Sequence, residues 1–318
     1  MKIGSRWWLA VLSSAWLMGA CSSSPAPTPI TDSPKITCPP ARTVEAPAPA
    51  IVTYVSPTVA GGLAPITIVC SPASGSTFSL GATSVTCTAL DAQRRSDSCG
   101  LTITVTPPVP RIRATRFVAF GDSITEGKFG PADYTGDDRF PDAYARVLYQ
   151  LLRDRYTAQD IYMFDRGFGG EEVVPAGTLR LPGRLTADSP DVLLLLEGVN
   201  DLINGRPIAA LIEGLRTMIR EAKGRGIVVF IGTLLPQRPG GLRAGHPELI
   251  VPANLAIRQL AFAEGATLVD LYQAFGGTPD PLIDADGLHP NAMGYQKMGE
   301  TFFTAIRSTL ELSTTTSR

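Results

Sequence analysis

Val192-Leu193-Leu194-Leu195-Leu196, followed at once by Glu197-Gly198-Val199-Asn200-Asp201, decides the fold of the larger part of this chain. Five consecutive apolar residues leave no polar face. They suit a strand covered by helices on both sides, as in a parallel sheet. The polar, glycine-bearing turn that follows marks the carboxyl end of such a strand, where open α/β sheets bind their ligands. The same grammar recurs on either side. Phe117–Phe120, Ile161–Phe164, Ile227–Ile231 and Thr267–Leu271 read as strands. Between them lie helical faces: Tyr144, Val147, Leu148, Leu151 and Leu152; then Ile208, Leu211, Ile212, Leu215 and Ile219, ending near Gly224 and Gly226; then residues 253–263. A last helix follows Asn291, an expected N-cap, with Tyr295, Met298, Phe302 and Ile306 on one face. Five strands with intervening helices predict an α/β domain, a three-layer α/β/α sandwich around a five-stranded parallel sheet, over residues 116–312 with a short tail at 313–318.

The remaining chain has a different character. Of 318 residues, 44% are hydrophobic and 18% charged, enough apolar material for real cores. Lys plus Arg is 28 and Asp plus Glu 29, a net charge of −1. With no basic excess to neutralise phosphates, a dedicated nucleic-acid binder is excluded. Residues 116–318 carry 20 basic and 25 acidic side chains, a net −5 that disfavours polyanionic substrates. Lys2 and Arg6 precede an uncharged run from Trp7 to Ala20, too short to span a bilayer, so residues 1–20 read as an export signal. The run closes on Leu17-Met18-Gly19-Ala20-Cys21, small residues before a cysteine, similar to a bacterial lipobox. That resemblance implies lipidation of Cys21 and a membrane anchor at the cell envelope, on the outer membrane or cell surface; the alternative is an ordinary signal peptide. Residues 22–37 are rich in Ser, Pro, Thr and Ala and read as a tether.

Setting Cys21 aside, the cysteines are Cys38, Cys70, Cys87 and Cys99, all before residue 100. An even set confined to a short exported segment predicts two disulfides. Zinc is the poorer reading, since no C-x-x-C pair and no nearby histidine is present. Of three possible pairings, Cys70–Cys87 with Cys38–Cys99 is preferred. Between these cysteines, short β-branched runs (Ile51–Val55, Ile66–Val69, Thr83–Thr88, Leu101–Val105) alternate with turn residues and predict a small β-sandwich over 38–106. The segment Ser71–Phe78 with Gly81–Ala89 resembles the hyalin-repeat (HYR) family of Ig-like modules, which implies an extracellular spacer or adhesion module. Pro107-Pro108-Val109-Pro110 begins a stiff linker, taken over 107–115.

The residues following the expected strands supply the chemistry. They are Gly121-Asp122-Ser123-Ile124-Thr125-Glu126-Gly127, Asp165-Arg166-Gly167-Phe168-Gly169-Gly170-Glu171, Gly198-Val199-Asn200-Asp201, and, near the end, Asp286-Gly287-Leu288-His289-Pro290. A serine hydroxyl needs an adjacent base, and only His246 and His289 exist. Asp286, three residues before His289, can accept its Nδ1 proton and leave Nε2 to act on Ser123. Oxyanion donors are available from the Ser123 backbone, the Gly169-Gly170 loop and the Asn200 amide. In a bland reading Ser123 is a helix N-cap, Asn200 a loop residue and His246 a solvated loop histidine. His246 as a substrate contact is the sharper alternative. Asp122 and Asp201 read as braces for their turns. Asp284 competes with Asp286 as the partner of His289, and the spacing favours Asp286.

In this order the four clusters resemble the SGNH/GDSL hydrolase family over residues 116 to about 310. The resemblance implies a flavodoxin-like hydrolase fold, catalytic Ser123, His289 and Asp286, and an oxyanion hole from Ser123, Gly170 and Asn200. Asp165 stands where the family often has Asn. The Gly-rich segment 167–170 lacks a phosphate-loop pattern and no metal-ligand cluster is visible, so no cofactor and no metal are expected. The sequence thus predicts an exported, lipid-anchored serine esterase acting on acyl lipids, aryl esters or O-acetylated carbohydrate. The alternative is a catalytically silent adhesion or scaffold lipoprotein acting through its Ig-like module.

Overall fold

The computed structural model describes residues 32–127, 133–134 and 143–313. The expected signal peptide and Cys21 lie outside the described residues. The chain divides into two compact units at Thr106/Pro107.

The first unit is all β. Strands β2 (Arg42–Glu45), β5 (Thr67–Ser71), β7 (Gly81–Leu90) and β8 (Ser96–Thr106) form a sheet in the order β2-β8-β7-β5. Two small ribbons, β1 (Lys35–Thr37) with β4 (Thr58–Ala60) and β3 (Ala50–Val52) with β6 (Ser76–Phe78), complete it. Alternation on the long hairpin sends Val85, Cys87 and Ala89 of β7 and Leu101, Ile103 and Val105 of β8 into one core with Phe78 and Val52. Disulfides join Cys38 to Cys99 and Cys70 to Cys87; the second bridges directly opposed residues of β5 and β7. The expected tether over 22–37 is too long by one strand. Ile36 is buried and pairs with Val59, but a three-residue strand offers too little alternation to be read in advance.

The second unit is a six-stranded sheet in the order β10-β11-β9-β12-β13-β14. Its parallel strands are β9 (Arg116–Gly121), β11 (Tyr162–Gly167), β12 (Val192–Leu196), β13 (Val228–Gly232) and β14 (Thr267–Val269). An unexpected antiparallel edge, β10 (Asp133–Tyr134), pairs with β11. Every residue of β12 is buried. Helices α2 (Tyr144–Arg155) and α8 (Ala292–Leu310) pack together, with Tyr144 stacked on Phe302 at 4.9 Å. Helices α3 (Thr178–Asp188), α5 (Ile208–Gly224) and α6 (Pro247–Glu264) pack with one another, α5 touching both α3 and α6. Right-handed crossovers place these two groups on opposite faces of the sheet. Short helices α1 (Ser123–Glu126), α4 (Val199–Ile203) and α7 (Leu271–Ala274) start at strand tips. A π-type turn, Val173–Gly177, leads into α3.

The expected linker over 107–115 also gives way. Ile112 is buried in the second unit's core, and the Gln159 amide grips it, accepting from Ile112 N at 2.7 Å and donating to Ile112 O at 2.8 Å. The last expected strand is shorter than 267–271, because Asp270 caps α7 by accepting from Gln273 N. Asn291 caps α8, its Oδ1 accepting from Gly294 N at 3.0 Å.

Candidate active site

Ser123 is the first residue of α1, two residues beyond the end of β9. The turn is tight because Asp122 Oδ1 accepts from Ile124 N at 2.9 Å. It is close to its neighbours because Gly121 and Gly167 have no side chain: a Cβ on either would lie about 2 Å from the backbone of Leu196 or Glu126 respectively. His289 and Asp286 sit on the loop before α8, brought 166 residues along the chain to the same edge. Ser123 Oγ lies 2.8 Å from His289 Nε2, and His289 Nδ1 lies 2.6 Å from Asp286 Oδ2. A carboxylate can only accept, so Nδ1 carries the proton and Nε2 is left to take the hydroxyl proton. Asp286 Oδ1 accepts from Leu288 N at 2.9 Å and His289 N at 3.0 Å, which fixes the carboxylate in place. Burial pushes this carboxyl up, but the bonds from the His289 ring and from the Leu288 and His289 N–H groups more than offset it, so it stays below the ordinary range.

Of the segments expected to supply oxyanion donors, the Gly169-Gly170 loop passes beside Ser123. The place a Cβ on Gly169 would take is 3.9 Å from Ser123 Cβ. Gly170 has φ +77°, and open space where its Cβ would be. Among the described residues, no backbone carbonyl accepts from the N–H of Ser123 or of Gly170. Asn200 Nδ2 donates to Glu171 O at 2.9 Å, which ties the tip of β12 to the loop after β11. Asp201 is buried and braces that loop, accepting from Val173 N at 2.8 Å. Asp165, fully buried, accepts from Gly167 N at 2.9 Å. Asp284 accepts from Ala285 N at 2.8 Å, while Asp286 is the carboxylate bonded to the imidazole. His246 stands apart at the N-cap of α6, half-exposed and bonded through Nδ1 to Glu248 at 2.9 Å.

Sequence reasoning missed the ionic layer beneath Ser123. Asp122, Glu171 and Glu197 are all buried there. Arg180 of α3 reaches in from below. It donates through Nε to both Glu171 oxygens, at 2.8 and 2.9 Å, through Nη1 to Arg166 O at 2.8 Å, and through Nη2 to Glu171 Oε2. Arg166 is committed to Asp188 through two bonds of 2.8 Å. The one available signal was Glu197 itself, a charge set directly behind five residues of buried strand. Among the described residues, no group of three or more His, Cys, Asp or Glu could hold a metal ion.

A hydroxyl, an imidazole and a carboxylate bonded in series at the carboxyl edge of a parallel sheet, with free N–H groups alongside, is the geometry of acyl transfer through a serine. The chain belongs to the GDSL-like lipase/acylhydrolase family, whose model matches residues 119–297. An HYR-domain model matches residues 30–105. A curated relative, a multidomain esterase of Ruminococcus flavefaciens, is 24% identical over 254 residues, 67% of this chain and 31% of that protein. Esterase TesA of Pseudomonas aeruginosa is 26% identical over 135 residues, 42% of this chain and 64% of that protein. The chain thus spans about a third of the first relative and just under two thirds of the second. Among solved structures, the lipase/acylhydrolase from Enterococcus faecalis superposes with a TM-score of 0.51 at 25% identity, over 62% of this chain and 97% of that one.

Proposed function

We propose that this protein is a serine esterase that hydrolyses carboxylic esters through an acyl-Ser123 intermediate. The observation that carries the reading is the bonded series Ser123 Oγ–His289 Nε2–Asp286, at 2.8 and 2.6 Å. His289 Nε2 takes the hydroxyl proton as Oγ attacks the ester carbonyl, and Asp286 stabilises the imidazolium that forms. The Ser123 and Gly170 N–H groups and the Asn200 amide receive the oxyanion. Each such donor is worth about 2.7–4 kcal/mol of transition-state stabilisation. His289 then returns the proton to the leaving alkoxide, and a water attacks the acyl-enzyme by the same route. No step calls for a cofactor or a metal.

The family and its esterase relatives support the reaction class. Acyl lipids, aryl esters and O-acetylated carbohydrates remain the substrate classes. The Ig-like module is proposed as an extracytoplasmic spacer between the hydrolase and a lipid anchor on Cys21. Its two disulfides fit an oxidising compartment.

The deciding experiment is hydrolysis of a p-nitrophenyl ester series from acetyl to long-chain acyl, then of acetylated oligosaccharides. The enzyme is the chain from residue 22 onward, with Ser123→Ala as control. Turnover lost in Ser123→Ala establishes the esterase, and the chain-length profile separates a short-acyl from a lipase-like enzyme. A folded wild type silent on both panels refutes the reading and favours an adhesion or scaffold protein.

A further inference from the structure

Beneath Ser123 three buried carboxyls face one guanidinium. Asp122 sits at the tip of β9, Glu171 in the loop after β11 and Glu197 at the tip of β12; only 1%, 6% and 2% of their surfaces are exposed. Arg180 spends its donors on Glu171 and on the carbonyls of Arg166 and Gly121. Glu197 is left with no donor: neither of its oxygens has a hydrogen-bond partner among the described residues. It is also sterically confined. A Cβ on Gly177 would lie 2.8 Å from both Glu197 oxygens and 2.9 Å from the Met218 methyl. An ionised carboxylate stripped of water and of donors is among the costliest groups a protein can bury.

We propose that the Glu197 carboxyl holds a proton and donates it to the Glu171 carboxylate, and that this acid pair positions the oxyanion donors of the esterase. The proposal deepens the serine-esterase reading and rests on it. Glu171 lies within side-chain hydrogen-bonding reach of Glu197, and the contact favours the protonated form. Burial pushes Glu197 well up, the charges of Glu171 and Asp122 add to it, and Arg180 opposes it. The same layer pushes Asp122 up to about 7, burial first and then the charges of Asp201 and Glu171. On the α5 side, the Met218 methyl lies beside the same point that the Glu197 oxygens approach. One shared proton leaves the pair a single negative charge opposite Arg180. Removing it sets two buried carboxylates against each other.

The link to catalysis runs through Asn200. Its amide donates to Glu171 O at 2.9 Å, and Asn200 lies three residues beyond Glu197 on the same strand tip. Repulsion between residues 171 and 197 therefore pulls on both sides of the oxyanion site. The expected consequence is a fall in kcat at alkaline pH with KM held.

The test compares wild type, Glu197→Leu and Glu197→Gln. Leu removes the donor and costs roughly tenfold in kcat; Gln keeps a donor to Glu171 and recovers most of it. In the wild type kcat declines at alkaline pH, and in Glu197→Gln that decline is gone because the amide cannot ionise. Stability gives a readout independent of turnover. A carboxyl whose folded pKa is raised contributes stability that is complete below its unfolded value and lost as pH rises through its folded value. The Tm of Glu197→Gln should therefore gain on wild type as the pH rises above the ordinary carboxyl range. Infrared difference spectra should also show a protonated-carboxyl band in wild type that Glu197→Gln lacks. An unchanged alkaline limb with a parallel Tm profile, or no such band, overturns the proposal. If the protein hydrolyses no ester, the Tm profile and the band still decide whether the proton is shared, so the two readings fail separately. If Glu197→Gln does not fold, Glu197→Met, which suits the same apolar wall, carries the Tm and infrared readouts.

Discussion

The loop after β13 touches the His289 loop through two glycines, and adding one methyl there should cost activity as well as stability. A Cβ on Gly241 would lie 2.6 Å from Gly287 Cα, 2.8 Å from Asp286 O and 3.1 Å from Arg238 O. Ordinary contact begins at 3.4 Å, so the two loops must part by about 0.8 Å. Every atom in the way is backbone, and no side chain can swing aside. The loops are also stitched together, Arg238 N to Gly287 O at 2.9 Å and Arg243 N to Asp286 O at 2.8 Å. The displacement therefore passes to the turn that holds Asp286 and His289. A misplacement of about 1 Å costs up to about 10²-fold in rate. Gly241→Ala should thus lower kcat on p-nitrophenyl acetate by about 10–100-fold, or about 1.4–2.7 kcal/mol. The accompanying overpacking should cost about 1–3 kcal/mol of stability. Gly240→Ala is the control. That residue has φ +77° and nothing within 4 Å of its Cβ position, so the change strains the backbone by about 1–2 kcal/mol without pressing on Asp286. A folded Gly241→Ala protein with kcat within twofold of wild type would refute the reasoning, as would an equal loss in Gly240→Ala.

Other outcomes follow from the same geometry. Asp286→Asn presents an amide N–H to His289 Nδ1 and favours the wrong tautomer; kcat should fall by about 10⁴ with KM little changed, measured by steady-state kinetics. Asn200→Ala removes one oxyanion donor and should lower kcat by about 10²–10³. Gly183 of α3 is exposed, with nothing near its Cβ position, so Gly183→Ala should add about 0.5–1 kcal/mol to stability in a urea melt. Asp286 is held below the ordinary carboxyl range. Its contribution to stability is complete above the unfolded value and lost as pH falls through the folded one; acid denaturation of Asp286→Asn should show a shallower slope there.

The layered fold was legible because each strand of the parallel sheet is a short apolar run, and Ser123 and Asn200 each follow one closely. Val192–Leu196 is buried at every position, as a strand without a polar face requires. Ser123, Asn200, Asp286 and His289 were readable as a set because the order of four polar clusters constrains them together, and the structure brings them to one edge. The supporting layer was not readable. Arg180 falls on a helix where an arginine is expected to be solvated, and only the tertiary fold turns it inward toward Glu171. The contact between Gly241 and Gly287 joins two loops with no periodicity to align them. Ile36 and Ile112 belong to segments too short to show a pattern, so their burial is not legible in the sequence.

The span between Ser123 and His289 also has a temporal meaning. Ser123 stands near the start of the second unit, while His289 is followed by α8, which packs against α2 near that unit's beginning. A chain leaving the ribosome has Ser123, the Gly169-Gly170 loop and four parallel strands long before it has His289, the proposed base. Closing so distant a contact is a slow, late event in folding. Until the segment before α8 docks there is no imidazole beside Ser123, so on the proposed mechanism nascent and truncated chains carry an unactivated hydroxyl, and hydrolytic competence would arrive only with the completed fold.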